Sequence, residues 1–276
     1  MLTMTHVMSA TRSGLSSRER ELMDLFLEQE RVIVTSEDVR QVWPDESENV
    51  NSILSRMARK GWLQRVKRGT YALISLGEGT TKPATANAWA VASILFEPCF
   101  ISGWSASEHW GLTDQIFNSI SLVTENRVRS KSQELGGIRF RIRTLPAEKM
   151  FGSQKVWFGR TIVKVADPHR TLLDVLDSPS FGGGGRHVLD ISQNYWSGSL
   201  NNSDQLLQYA LKYGRGTVFK RLGFLAETFG NPAANWLEQC YEHRSKGLSL
   251  LDPESPNQGP INSKWRLRIN LPLNLE

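Results

Sequence analysis

The side chains best suited to chemistry in this 276-residue chain lie between residues 49 and 68. Asn51, Ser52, Ser55, Arg56 and Arg59 fall on the side of a helical pattern opposite its apolar stripe, with Asn49 near its start. Asn and Arg can make paired hydrogen bonds to adenine and guanine edges, so such a face suits the reading of duplex DNA. Charge sharpens the reading. Residues 49–76 hold six basic side chains, Arg56, Arg59, Lys60, Arg65, Lys67 and Arg68, and no acid. Residues 18–48 hold four basic and ten acidic ones. Phosphate contacts need cations on the approaching face and are repelled by carboxylates, so this segregation carries more weight than any single residue. Exposed helix faces are ordinarily polar, and the helix dipole alone favours arginine near a C-terminus.

A second basic group lies further along. Arg127, Arg129, Lys131, Arg139, Arg141 and Arg143 stand against one acid, Glu134. The run Ile138 to Arg143 alternates strictly, so a strand there turns three arginines to one face. Trp265 to Ile269 repeats the alternation with Arg266 and Arg268. Each strand alone reads as a sheet with one solvated face. Together with the basic loop they suggest a second polyanion surface, which extends a DNA footprint or meets an RNA.

Signals for catalysis are weak. A magnesium-dependent nuclease of the restriction type needs E-x-K or D-x-K, and neither tripeptide occurs. Gly103-Trp104-Ser105-Ala106-Ser107 lacks the closing glycine of a nucleophile elbow and reads better as a helix start capped by Ser105. Gly182 to Gly185 followed by Arg186 lacks the Lys-Ser/Thr of a phosphate loop and reads as a flexible hinge. In Asp167-Pro168-His169-Arg170-Thr171-Leu172-Leu173-Asp174, helix capping by Asp167 and an Arg170–Asp174 pair explain all but His169. Cys99 and Cys240 stand apart with no ligand spacing, so no metal, disulfide or other cofactor is expected.

These residues need elements to hold them. Leu22, Leu25 and Phe26 mark a first helix from Ser17. After Val32-Ile33-Val34, Thr35 or Ser36 caps a second that stops at Pro44. Ser47 caps a third, with the stripe Val50, Ile53, Leu54 and Met57 and a stop at Gly61. Leu63 to Val66 and Thr70 to Ile74 then form a hairpin around Lys67-Arg68-Gly69. Three helices and a hairpin are a winged helix, its third helix suited to a major groove and its wing to the backbone.

The predicted class is therefore α+β: a tail over 1–16, a winged helix-turn-helix over 17–76, a linker over 77–85 and a larger mixed α/β domain over 86–276. Strands are expected near Phe100, Ser119–Thr124, Gly137–Arg143, Lys155–Phe158, Thr161–Val165 and Trp265–Leu271, and mostly helices beyond Pro168. The opening residues lack a signal-peptide pattern, and the longest apolar run, Trp89 to Phe96, is far below the roughly 20 residues that span a bilayer. A cytoplasmic protein without a membrane partner is expected. The net charge of +5 hides the segregation, because the winged helix adds nothing to it.

With these motifs in order, the chain resembles the AbiEi-type antitoxins. The match lies in Lys67-Arg68-Gly69-Thr70-Tyr71, Ile101-Ser102-Gly103-Trp104-Ser105-Ala106, Trp110-Gly111-Leu112, Val165-Ala166-Asp167 and Arg170-Thr171-Leu172-Leu173-Asp174, from about Ser17 to beyond Gly185. The resemblance implies a type IV toxin-antitoxin, abortive-infection autorepressor, not an enzyme. Its winged helix would bind repeats in its own operator DNA, as a dimer or cooperatively. Its C-terminal domain would counter a nucleotidyltransferase toxin, with no stable complex expected. The family's DNA-contacting role carries over to Arg56, Arg59, Lys60, Arg65, Lys67 and Arg68. The reading from another class is a nuclease or nucleotide-handling enzyme with a winged-helix specificity domain.

Overall fold

The computed structural model describes residues 14–29, 31–43, 49–73, 85–135, 138–158 and 161–273. The chain forms two compact units. One is Met1–Glu97 with Glu134–Arg139 and Trp157–Val163; the other is Pro98–Gln133 with Phe140–Val156 and Lys164–Glu276. Most of the expected tail and all but Thr85 of the expected linker lie outside the described residues.

The first unit opens with α1 (Ser17–Glu28), β1 (Ile33–Thr35), α2 (Ser36–Val42) and α3 (Val50–Arg59). The hairpin β2 (Leu63–Lys67) and β3 (Thr70–Leu73) and the helix α4 (Thr85–Leu95) follow. Each early helix starts where a side chain can satisfy an orphan amide. Ser16 and Glu19 form a reciprocal capping box on α1, and Thr35 and Asp38 form another on α2. The cap of α3 is Asn49, whose side chain accepts from the Asn51 amide. Ser47, the expected cap, lies outside the described residues. Gly61 and Gly69 have φ of 80° and 73°, the left-handed backbone that the helix end and the hairpin turn require.

The strands form an antiparallel sheet in the order β1-β3-β2. Leu22, Phe26, Val39, Ile53, Leu54, Met57, Leu63 and Tyr71 fill the core beneath it. The apolar stripe of α3 is thus turned inward, and its polar side outward.

The second architecture is a six-stranded mixed sheet. Its strands are β4 (Cys99–Ile101), β5 (Ile120–Thr124), β6 (Ser132–Leu135), β7 (Ile138–Thr144), β8 (Ser153–Phe158) and β9 (Thr161–Ala166), in the order β6-β7-β5-β4-β9-β8. The helix α5 (Gly103–His109) leads from β4 towards β5. Five helices then share one apolar core: α6 (Pro168–Asp177), α7 (Gly185–Ser197), α8 (Ser203–Tyr213), α9 (Gly216–Phe229) and α10 (Ala234–His243). A small sheet of β10 (Ser249–Leu250), β11 (Ile261–Asn262) and β12 (Leu267–Arg268) closes the chain. The class is α+β, as expected.

Three local expectations are corrected. The run Trp265–Leu271 is not a continuous strand: residues 263–266 form the turn between β11 and β12, and Arg266 takes φ 51°. Packing decides this, because the Trp265 ring fills the space beside Gly223 where a methyl would stand. Ser105 does not cap α5. The N-cap is Ser102, and the Ser105 hydroxyl accepts instead from the Ser121 amide at 3.0 Å. Nor is the glycine run a hinge, since Gly183 (φ 90°) packs against the Trp104 ring and Gly185 against Leu271 and Asp252.

Candidate nucleic-acid interface

The sequence motif places Ser52, Ser55, Arg56 and Arg59 three or four residues apart, on one face of α3. Ser52 and Arg59 are exposed there, as are Asn49 and Asn51 nearer the start. Two of the polar residues lock the helix in place. The Asn51 side-chain oxygen accepts from the Ser36 hydroxyl at 2.6 Å, which ties α3 to α2. Ser55 and the Tyr71 hydroxyl lie 3.1 Å apart and tie it to β3. The orientation of the candidate reading helix is thus fixed by hydrogen bonds on two sides.

Glu19 holds two of the six cations. Its carboxylate is 1% exposed and accepts from Lys60 Nζ at 2.5 Å, with Arg56 Nε 3.5 Å away. Burial alone would raise its pKa. The Lys60 hydrogen bond and the capping bonds to Ser16 outweigh that and hold it below the ordinary 4.5. Sequence reasoning missed this residue, although the Ser16-x-x-Glu19 spacing signals a capping box.

The outward cations are Arg59 on α3, Arg65 and Lys67 on β2, and Arg68 in the turn, all exposed. Lys67 Nζ lies 3.5 Å from the Ile94 carbonyl. Among the ten residues picked out for DNA contact, Arg59, Arg65, Lys67 and Arg68 thus present charge to solvent, Ser52 presents a hydroxyl, and Arg56 and Lys60 are half-buried against Glu19. No acidic side chain occurs in residues 49–76 to oppose them.

Residues 21–74 match the family model of AbiEi antitoxin transcriptional regulators. The matched segment runs from within α1 to the end of β3. The AbiEi match stops short of the motifs from Ile101 onward. Over the whole chain, the fold is similar to that of the RV2827C protein from Mycobacterium tuberculosis in its crystal structure. The TM-score is 0.69, with 94% of each chain covered and 14% identity. No curated protein matches the chain.

The residues of the second basic group differ in exposure and pairing. Arg127, Arg129, Lys131, Arg139 and Arg141 are exposed, the last two on one face of β7. Arg143 is not: it pairs with Asp177, and its charge is consumed inside the fold. Burial alone would lower its pKa, but the nearby Tyr213, Asp174 and Asp177 raise it on balance. Arg266 and Arg268 donate to the carbonyls of Lys246 and Gly259, and Arg266 lies in a turn rather than a strand. The two arginine-bearing runs are therefore not equivalent.

The Asp167–Asp174 stretch is structural. Asp167 caps α6, and Tyr209 donates to its other oxygen at 2.9 Å. Arg170 and Asp174 form a fully buried pair at 3.0 Å, and His169 Nδ1 lies 2.7 Å from the Tyr195 hydroxyl. Among the described residues, no cluster of His, Cys, Asp or Glu is placed to hold a metal ion, and no helix is long and apolar enough to cross a membrane.

Proposed function

We propose that this protein is the antitoxin and autorepressor of a type IV toxin-antitoxin, abortive-infection pair. Its winged helix binds repeats in its own operator DNA. Its larger domain, 86–276, counters a nucleotidyltransferase toxin without holding it in a stable complex. It acts in the cytoplasm by binding rather than by catalysis. The observation that supports this most is the position of Arg59, Arg65, Lys67 and Arg68, all exposed on α3 and the hairpin, in a stretch, residues 49–76, whose sequence holds no acid.

Anisotropy titration of the full chain against its own upstream DNA tests the reading. Four neutralised phosphates give a slope of log affinity against log salt of about −3.6. Replacing Arg59 and Arg68 by Ala should weaken binding on every sequence and bring the slope to about −1.8. Equal affinity for unrelated DNA at moderate salt overturns the operator assignment.

A further inference from the structure

Four cations of the second unit line one cleft. Lys131 just before β6, Arg141 and Arg143 on β7, and Arg215 at the start of α9 surround a cavity of about 580 Å³ with Asp177 and Glu254. The contributing segments are distant in sequence, so no local motif announces the cleft.

Its walls are preorganised. Asp177, 3% exposed, accepts from Arg143 and from the Tyr213 hydroxyl, and its other oxygen lies 3.4 Å from Arg215. Arg143 also donates to the Asp174 carbonyl at 3.1 Å, and its guanidinium carbon lies 5.4 Å from the centre of the Phe181 ring. Arg141 donates to the Ser180 carbonyl at 2.8 Å. A guanidinium carries five N–H donors in a fork that matches phosphate oxygens, so these bonds fix the arginines without exhausting them.

Charge and size define the ligand. Four cations against two carboxylates leave two positive charges in excess, and a phosphate monoester carries about −1.5 to −2 at neutral pH. The cavity is far larger than a bare phosphate needs and lies in the ordinary range for small-molecule sites. Asp177 already has Arg143, Arg215 and Tyr213 around it. Glu254 is exposed on the wall and would repel a simple anion. It suits a ligand that carries hydroxyl or amino donors beside its phosphate, as an acidic residue suits a ribose.

We infer that this cleft binds a phosphorylated nucleoside, its phosphate held by Lys131, Arg141 and Arg215 and its donor groups by Glu254. The inference does not rest on the operator reading, and DNA binding by the winged helix leaves it untouched.

Isothermal titration of the full chain tests it, with ribonucleoside 5′-monophosphates, inorganic phosphate and a single-stranded RNA hexamer as probes. The expected result is saturable binding of at least one nucleotide, tighter than inorganic phosphate. Arg141→Ser and Arg215→Ser should each weaken it by about tenfold or more. Glu254→Gln should weaken the nucleotide and, by removing a repelling charge, tighten inorganic phosphate. Should Arg215→Ser lower the melting temperature through Asp177, Arg141→Ser, which gives up only a carbonyl bond, carries the comparison. The inference is overturned if no nucleotide binds at millimolar concentration or if the arginine variants bind it unchanged. It is equally overturned if phosphate alone binds as tightly, or if only the RNA hexamer binds.

Discussion

Glu19→Gln should make the protein less stable and its DNA binding stronger at low salt. The carboxylate is 1% exposed, lies 2.5 Å from Lys60 Nζ and 3.5 Å from Arg56 Nε, and accepts the Ser16 amide at 2.8 Å. Glutamine retains an acceptor for the capping box, so the perturbation is chiefly the loss of charge. Breaking a fully buried pair costs about 3–5 kcal/mol, and an exposed one is worth no more than about 1. Lys60 and Arg56 retain 28% and 38% exposure and can recover hydration, which places the cost between these limits, at about 1–2 kcal/mol. Glu19 titrates below 4.5 in the folded protein, so its contribution is full above that pH and is lost as pH falls through the lowered value. The difference between wild type and Glu19→Gln should therefore narrow in acid. At the DNA, two released cations should steepen the salt slope by about 1–2 units. Urea unfolding read at the α1 and α3 amides by hydrogen exchange, with anisotropy titrations across salt, measures both effects. If stability falls while the slope stays the same, Arg56 and Lys60 do not face phosphate, and the DNA-contacting role carried over to them from the resemblance is wrong.

Three further outcomes test the second unit. Gly183→Ala should cost about 3 kcal/mol or more, because it combines φ 90° with overlap of the Trp104 ring. Gly184→Ala at φ 103° meets nothing within 4 Å and should cost less in the same urea titration. Asp174→Asn should destabilise by about 3–5 kcal/mol, since it leaves buried Arg170 uncompensated at the acceptor that also serves Ser102 and Tyr213; a midpoint within error of wild type defeats this account. Cys99 and Cys240 are both buried, and burial pushes the Cys240 thiol up to about 12, so Ellman's reagent at pH 8 should label neither until denaturant is added. Rapid labelling of the native protein would count against that burial.

The first three helices and the hairpin were legible because their signals are local. A period of 3.6 set the apolar faces, Thr35 marked the start of α2, and Gly61 and Gly69 supplied the left-handed backbone that a helix end and a turn require. The strand at Ile138 was legible for the same reason: its alternation matches a burial pattern with Ile138, Phe140 and Ile142 inward. Trp265–Ile269 alternates equally well and yet holds a turn. What decided it was distant in sequence: the Trp265 side chain donates to Glu227 at 2.6 Å and packs on Gly223, while Asn262 accepts from the Trp265 amide at 3.0 Å. Alternation records which side chains prefer burial, not whether a long-range pocket will bend the backbone to take one.

The same distinction separates the charges that can act from those that cannot. Arg141 and Arg143 are neighbours on one face of β7 and were equivalent in sequence. In the fold Arg143 is half-buried against Asp177, 34 residues away, whereas Arg141 remains exposed. In the winged helix, Lys60 answers to Glu19 across 41 residues, while Arg59 beside it is exposed. A basic residue contributes to a polyanion site only in so far as its own chain has left its charge unmatched, and the matching carboxylates here come from other elements. The charge available to a ligand is therefore smaller than composition suggests, although Arg59, Arg65, Lys67 and Arg68 in the first unit and Arg141 in the second remain exposed. Salt dependence measured one side chain at a time reads that residual charge directly, because each cation already matched within the fold releases fewer counterions when DNA binds.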